Sequence, residues 1–178
     1  YENAGKMKPR ENRAPVETAL YLPDTFSRYF EPRIERAALD ALAACGVRAV
    51  PLQSLGSGRT LLSKGFIEPA RRRAHALLDE IRRLDPHGML PVVGVEPSEI
   101  YTLRDDLRDL LPDRAAGVDS LAARAWMVDE YLVRPGADGA PRIGRAALSA
   151  AAHPLPAVLL HGHCYQKSQP PAADGLPV

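Results

Sequence analysis

Four short apolar runs, each leading straight into a polar or glycine-rich segment, constrain this chain more than any other feature. They are Thr18 to Leu22, Arg48 to Leu52, Leu90 to Val95 and Ala157 to Leu160. Amphipathic stretches separate them, and this alternation is the pattern of βα units around a mainly parallel sheet flanked by helices, an α/β fold. Periodicity alone does not separate a short buried strand from a short buried helix. The turn residues beside each run favour strand.

The helices are marked by apolar residues at helical spacing. One stripe is Ile34, Ala37, Ala38, Ala41, Leu42 and Cys45, closed by Gly46. A second is Ile67, Ala70, Ala74, Leu77, Leu78 and Ile81, and a third is Ile100, Leu103, Leu107 and Leu110, with Ser98 as N-cap and Pro112 as stop. The fourth, Val118, Leu121, Ala122, Ala125, Val128 and Leu132, predicts one helix ending before Pro135-Gly136. Pro135 to Pro156 reads as a surface excursion with a short helix at Arg145 to Ala151. Residues 1–16 are polar, charged and interrupted by proline, and read as a linker from an upstream region.

Charge and thiol content exclude several function classes. Lys+Arg 23 against Asp+Glu 22 gives a net charge of +1, so no broad basic field exists to hold a phosphate backbone, and nucleic acid is not an expected partner. No apolar run approaches the roughly 20 residues of a membrane helix. Two cysteines, Cys45 and Cys164, make no disulfide framework and point to a reducing compartment, cytoplasmic or peripheral to a membrane. They cannot by themselves hold an iron–sulfur cluster, which takes about four thiolates. Cys45 lies on a helical apolar stripe and is expected in the core. The start at Tyr1 and the turn-rich Gln169 to Val178 suggest a piece of a longer protein.

In an open parallel sheet, ligands gather beyond the carboxyl ends of the strands. The four strand-to-loop segments there would be Pro23-Asp24-Thr25, Gln53 through Arg59, Glu96-Pro97-Ser98-Glu99 and His161-Gly162-His163-Cys164. His161, His163 and Cys164 are the densest group of metal-type donors, suited to zinc or iron with Glu96 or Glu99 as a carboxylate. The bland alternative is a strand end whose rings bond to the backbone. Gly56-Ser57-Gly58-Arg59-Thr60 offers backbone N–H groups and a guanidinium to an anion, or is simply a flexible turn. Capping accounts for Glu99 at a helix start, whereas Glu96 at the strand end is the candidate for acid/base work. The run Arg71-Arg72-Arg73 is expected on a solvated face.

Five ordered motifs carry a resemblance: Asp24-Thr25-Phe26 through Tyr29-Phe30-Glu31-Pro32, then Gly58 through Gly65 (GRTLLSKG), then Gly94-Val95-Glu96-Pro97-Ser98, then Thr102-Leu103-Arg104-Asp105, and Leu160 through Lys167 (LHGHCYQK). From about Ala19 onward the chain resembles the cysteine-rich, CCG-type domain at the C-terminal end of FAD-linked oxidases, and is similar to the domain of glycolate oxidase iron–sulfur subunits and heterodisulfide reductases. The resemblance implies a parent that oxidises a 2-hydroxy acid such as D-lactate, glycolate or D-2-hydroxyglutarate at FAD in an upstream domain and passes electrons through 4Fe–4S-type clusters. It implies as partners the upstream flavin and ferredoxin-like domains and an electron acceptor. It also makes residues 17–178 the first half and the start of the second half of a two-half domain, cut at its C-terminus and not active alone.

This copy departs from that pattern where it matters most. Thr25, Gly56, Ser57 and Glu99 stand where the cysteine-rich relatives have thiols, Gly56-Ser57-Gly58 replacing Cys-Cys-Gly, and Cys164 alone matches a ligand-type cysteine. Two outcomes fit. In one, the domain serves electron transfer or acceptor docking, with His161, His163 and Cys164 as ligands and Arg59 and Glu96 lining the cofactor site. In the other it is a metal-free structural or interaction module. A third reading, a zinc hydrolase built on His161 and His163, needs a further firm ligand.

Overall fold

The computed structural model describes residues 17–145, 157, 159 and 162–168. A four-stranded sheet, all parallel, lies at its centre in the order β2-β1-β3-β4, with β1 Glu17–Tyr21, β2 Val47–Pro51, β3 Val92–Gly94 and β4 Ala125–Met127. The first three strands fall on the predicted runs. Alternate residues of β1 enter two different cores. Leu20 packs with the helices of one face, and Ala19 and Tyr21 with those of the other.

One core is built on α4 (Ile67–Leu84), whose Ala70, Ala74, Leu77, Leu78 and Ile81 are buried as the helical stripe requires. With it pack α5 (Pro97–Arg104), α6 (Asp106–Leu110) and α7 (Ala115–Ala122). The other core holds α2 (Pro32–Ala44) and α8 (Val128–Val133). The predicted cap at Gly46 is present, with φ +76 just past the end of α2, and Cys45 is in this core.

The fourth predicted helix is not continuous. It is α7, then β4, then α8. Its apolar stripe is real but is divided between the cores: Val118 and Leu121 face the α4 side, Val128 and Leu132 the α2 side. A single straight helix has one apolar face and cannot serve both layers. The intervening Ala125-Trp126-Met127 alternates buried, half-buried, buried and pairs with β3 in the register Val92↔Ala125. The sheet's fourth strand is therefore here. Of the run Ala157 to Leu160, Ala157 and Leu159 are exposed and in no strand, and 158 and 160 lie outside the described residues.

Smaller differences have local causes. The third stripe breaks at Asp105 into α5 and α6, and its N-cap is Glu96 rather than Ser98, with Pro97 in the first turn. In the arginine run, Arg71 donates to the Leu110 carbonyl at 3.0 Å and Arg73 to the Leu55 carbonyl, so two of the three tie elements together. Residues 1–16 and the predicted helix beyond 145 lie outside the described residues.

Candidate functional site

The strand order reverses direction between β1 and β3: the chain leaves β1 toward β2 on one side and returns to β3 on the other. Such a switch point opens a crevice at the carboxyl ends of the two strands, the usual ligand position in this architecture. Three of the four predicted loops converge there. Gly56 donates its N–H to the Pro23 carbonyl at 2.8 Å, joining the loop after β2 to the loop after β1. Ser57 donates its N–H to Glu99 Oε2 at 2.5 Å, joining it to the loop after β3, and the Ser57 hydroxyl donates to the same oxygen.

Each loop is held by its own residues. Asp24 is the N-cap of α1 (Thr25–Tyr29), accepting from the N–H groups of Phe26 and Ser27 at 2.8 Å and from the Ser27 hydroxyl. Gly58, at φ +96, opens α3 (Arg59–Ser63). Glu80 of α4 accepts the Gln53 and Ser54 N–H groups at 2.5 and 2.9 Å, fixing the start of the loop. Burial raises the Glu80 carboxyl, but these hydrogen bonds and Arg83 outweigh it, and the net shift is downward.

The two glutamates exchange the roles that the sequence suggests. Glu96 caps α5, its carboxylate accepting from Ser98 N at 3.2 Å and Ser98 Oγ at 2.7 Å. Glu99 is the buried one, 5% exposed. Its burial pushes the carboxyl above the usual carboxylate range, the Ser57 hydrogen bonds oppose this, and the charges of Glu96 and Asp24 push it further up. A Cβ built on Gly56, which has φ +71, would stand 2.8 Å from Glu99 Oε1. The carboxylate thus lies directly on a residue that has no side chain to offer it.

These residues do not fit the iron–sulfur cluster that the resemblance implies. Thr25, Gly56, Ser57 and Glu99 supply no thiolate, and a cluster takes about four. The Glu99 carboxylate already takes the Ser57 amide and covers Gly56, so the loop that would receive an outside anion holds the protein's own. Among the described residues no group of three or more His, Cys, Asp or Glu is arranged to hold a metal ion.

Beside this pair a second cluster forms around Asp106. Its Oδ2 accepts from Thr102 Oγ1 at 3.0 Å, from the Tyr165 hydroxyl at 2.9 Å and from Arg59 at 3.4 Å. The Arg59 guanidinium also lies 5.0 Å from the centre of the Tyr165 ring. Tyr165 belongs to α9 (Cys164–Ser168) and stacks on Tyr101 of α5, ring centres 6.1 Å apart. The segment around Cys164 is therefore fastened to α5 and α6 next to the switch point.

Of the five predicted site residues, Arg59 is in this second cluster and Glu96 is a cap. His163 lies on the fastened segment, its Nδ1 accepting from Tyr165 N at 3.2 Å and its ring facing that of Tyr165. Cys164 is exposed, and His161 lies outside the described residues. The sequence reading missed the Ser57–Glu99 pair and Asp106. A signal for the first was present, since Gly56-Ser57-Gly58 after β2 and Glu99, two residues past Pro97 after β3, both lie at the same strand edge.

Glu99 makes stability depend on pH with a known sign. A carboxyl raised in the folded state stabilises while protonated, fully below its unfolded pKa, and that contribution disappears as pH rises through the folded value. Glu99→Gln keeps the acceptor for Ser57 and removes the charge. In urea unfolding, the variant is expected to gain on the native chain as pH rises out of the carboxylate range, with the two converging in acid. A constant difference between them would contradict the assignment.

No family model matches the chain, and no solved structure matches it. Among curated proteins, it is similar to D-2-hydroxyglutarate dehydrogenase of Escherichia coli (strain K12), 25% identical over 120 residues, covering 67% of this chain and 12% of that protein. The enzymes of the same name from Pantoea ananatis (strain AJ13355) and Haemophilus influenzae (strain ATCC 51907 / DSM 11121 / KW20 / Rd) are 23% identical over 112 residues and 22% over 104. These cover 63% and 58% of this chain, and 11% and 10% of those proteins. The chain thus spans about a tenth of the length of the curated relatives it matches. The switch-point crevice, filled by Glu99 and Ser57, belongs to a chain whose distant likeness is to D-2-hydroxyglutarate dehydrogenases.

Proposed function

We propose that this chain is part of an oxidoreductase acting on a 2-hydroxy acid, in which it works as a docking and structural module beside flavin- and cluster-bearing domains. The likeness to D-2-hydroxyglutarate dehydrogenases supports the reaction class. The observation that carries the module's role is the Glu99 carboxylate lying against Gly56 and bonded to Ser57, where thiolates would be needed for a cluster. In this reading FAD and the iron–sulfur clusters sit in other parts of the parent protein, and the switch-point edge serves acceptor docking without carrying the electron.

A second reading keeps a metal or cluster ligand in the chain. It rests on the exposed Cys164 beside His163, on a segment fastened next to the same crevice. One substitution separates the two. In the intact parent protein, Cys164→Ser is expected to leave iron and sulfide content, and the rate of electron transfer from a 2-hydroxy acid to an acceptor dye, at native values. Loss of iron together with loss of transfer would overturn the docking role in favour of ligation.

A further inference from the structure

A second recess lies at the other end of the sheet. The loop that enters β3, residues 85–90, meets the start of α7 and the end of α4 around a cleft of about 460 Å³. That volume falls within the roughly 300–1,000 Å³ of small-molecule sites. Pro86, Ala115 and Ala116 give it an accessible apolar wall.

Its polar wall is rich in donors. Arg124 spends Nη1 on Asp85 Oδ2, at 2.9 Å, and on the Leu90 carbonyl, its Nε is closed off from solvent, and Nη2 is the nitrogen left to face the cleft. Arg124 also borders a neighbouring cleft, but its guanidinium reaches the Gly88 side. A Cβ on Gly88, at φ +65, would stand 3.9 Å from Arg124 Nη2 and 3.5 Å from Ser120 Oγ. The missing side chain keeps the space between these donors open.

Further donors surround that space. Arg82 is exposed and in no salt bridge among the described residues. Arg114 is bridged to Asp79 at 2.6 Å through one nitrogen, and no side chain caps the first turn of α7 at this wall. Two acids oppose them. Asp85 is already satisfied by Arg124 and by the N–H groups of Met89 and Leu90, at 3.0 and 2.9 Å, and Asp113 is exposed.

We propose that this cleft binds a small oxyanion, a carboxylate or phosphate carried on a short apolar body. The anionic head sits between Arg124 Nη2, Arg82 and the Ser120 hydroxyl, and the body lies on Pro86, Ala115 and Ala116. The site is independent of the switch-point edge and of the reaction proposed for the parent protein.

The test is a titration of the whole chain followed by amide NMR shifts, with sodium phosphate in one arm and sodium butyrate in the other, each against sodium chloride at equal ionic strength. Saturable shifts at Gly88, Gly117 and Ser120 are expected in at least one arm, with millimolar affinity. Arg82→Ala, on the exposed side, and Arg124→Lys, which keeps the charge beside Asp85 but lacks the second terminal nitrogen, are each expected to weaken binding about ten-fold. Shifts that do not saturate in either arm or match those with chloride, or affinities unchanged in both variants, would overturn the site.

Discussion

Replacing Gly56 by alanine is expected to destabilise the chain by about 2–5 kcal/mol. Two separate effects add. The left-handed backbone at φ +71 costs an L-residue about 1–2 kcal/mol. The new methyl would also stand 2.8 Å from Glu99 Oε1 and 2.9 Å from its carboxyl carbon, and forcing an extra carbon into a filled space costs about 1–3 kcal/mol. Glu99 has no easy retreat, because the Ser57 amide and hydroxyl hold its other oxygen. Gly65→Ala is the internal control. Its φ of +76 is equally left-handed, but nothing lies within 4 Å of the added carbon, so only the backbone cost of about 1–2 kcal/mol applies. Urea unfolding of both variants measures the difference, and equal losses would mean that the carboxylate does not fill the crevice.

Arg104→Ala is expected to cost about 3 kcal/mol, the lower end of the range for removing one partner of a buried ion pair, because the two side chains keep 15% and 12% of their surface exposed. The guanidinium bonds both oxygens of Glu130, donates to the Ala125 carbonyl at 2.8 Å, and lies over the rings of Tyr101 and Trp126 at 4.8 and 5.0 Å. Glu130 is equally committed, accepting from the Tyr101 hydroxyl at 2.8 Å and from Met127 N at 3.1 Å. One pair thus joins α5, β4 and α8. Burial pushes the Glu130 carboxyl up, but Arg104, Tyr101 and the Met127 amide outweigh it and hold it below the usual range. The pair's contribution is therefore present above the unfolded carboxylate pKa and lost as pH falls through the depressed folded value. Arg104→Lys is expected to fall between the native chain and the alanine variant, since an ammonium lacks the planar fork and stacks less well on rings. Thermal unfolding of the three chains at neutral and acid pH checks both statements. A lysine variant as stable as the native chain would show that the fork contributes nothing.

Where the sequence spoke clearly, one residue pattern answered to one neighbour. The stripe from Ala70 to Ile81 has a single core to face, and its helix runs as the spacing predicts. The stretch from Val118 to Leu132 serves two cores, and helical spacing cannot report that its two ends turn to opposite layers. The site was legible as a place, because strand-end loops in a parallel sheet must converge. Its chemistry was less so. Glu96 and Glu99 differ by three positions, and which one is buried depends on where α5 begins, a matter decided by the Glu96 cap and Pro97. Asp106 gathers partners separated from it by 4, 47 and 59 positions. Only the first of these distances leaves a trace in local periodicity.

The carboxylate on Gly56 also bears on how this domain matures. A pocket closed by a prosthetic group reaches its final shape only after that group has been delivered, and loses it again under chelation or oxidation. Here the closing piece is Glu99, encoded in the chain and set in place as α5 docks. On the docking role proposed above, assembly of this edge proceeds at the pace of folding, whatever the supply of iron or the level of oxygen around it.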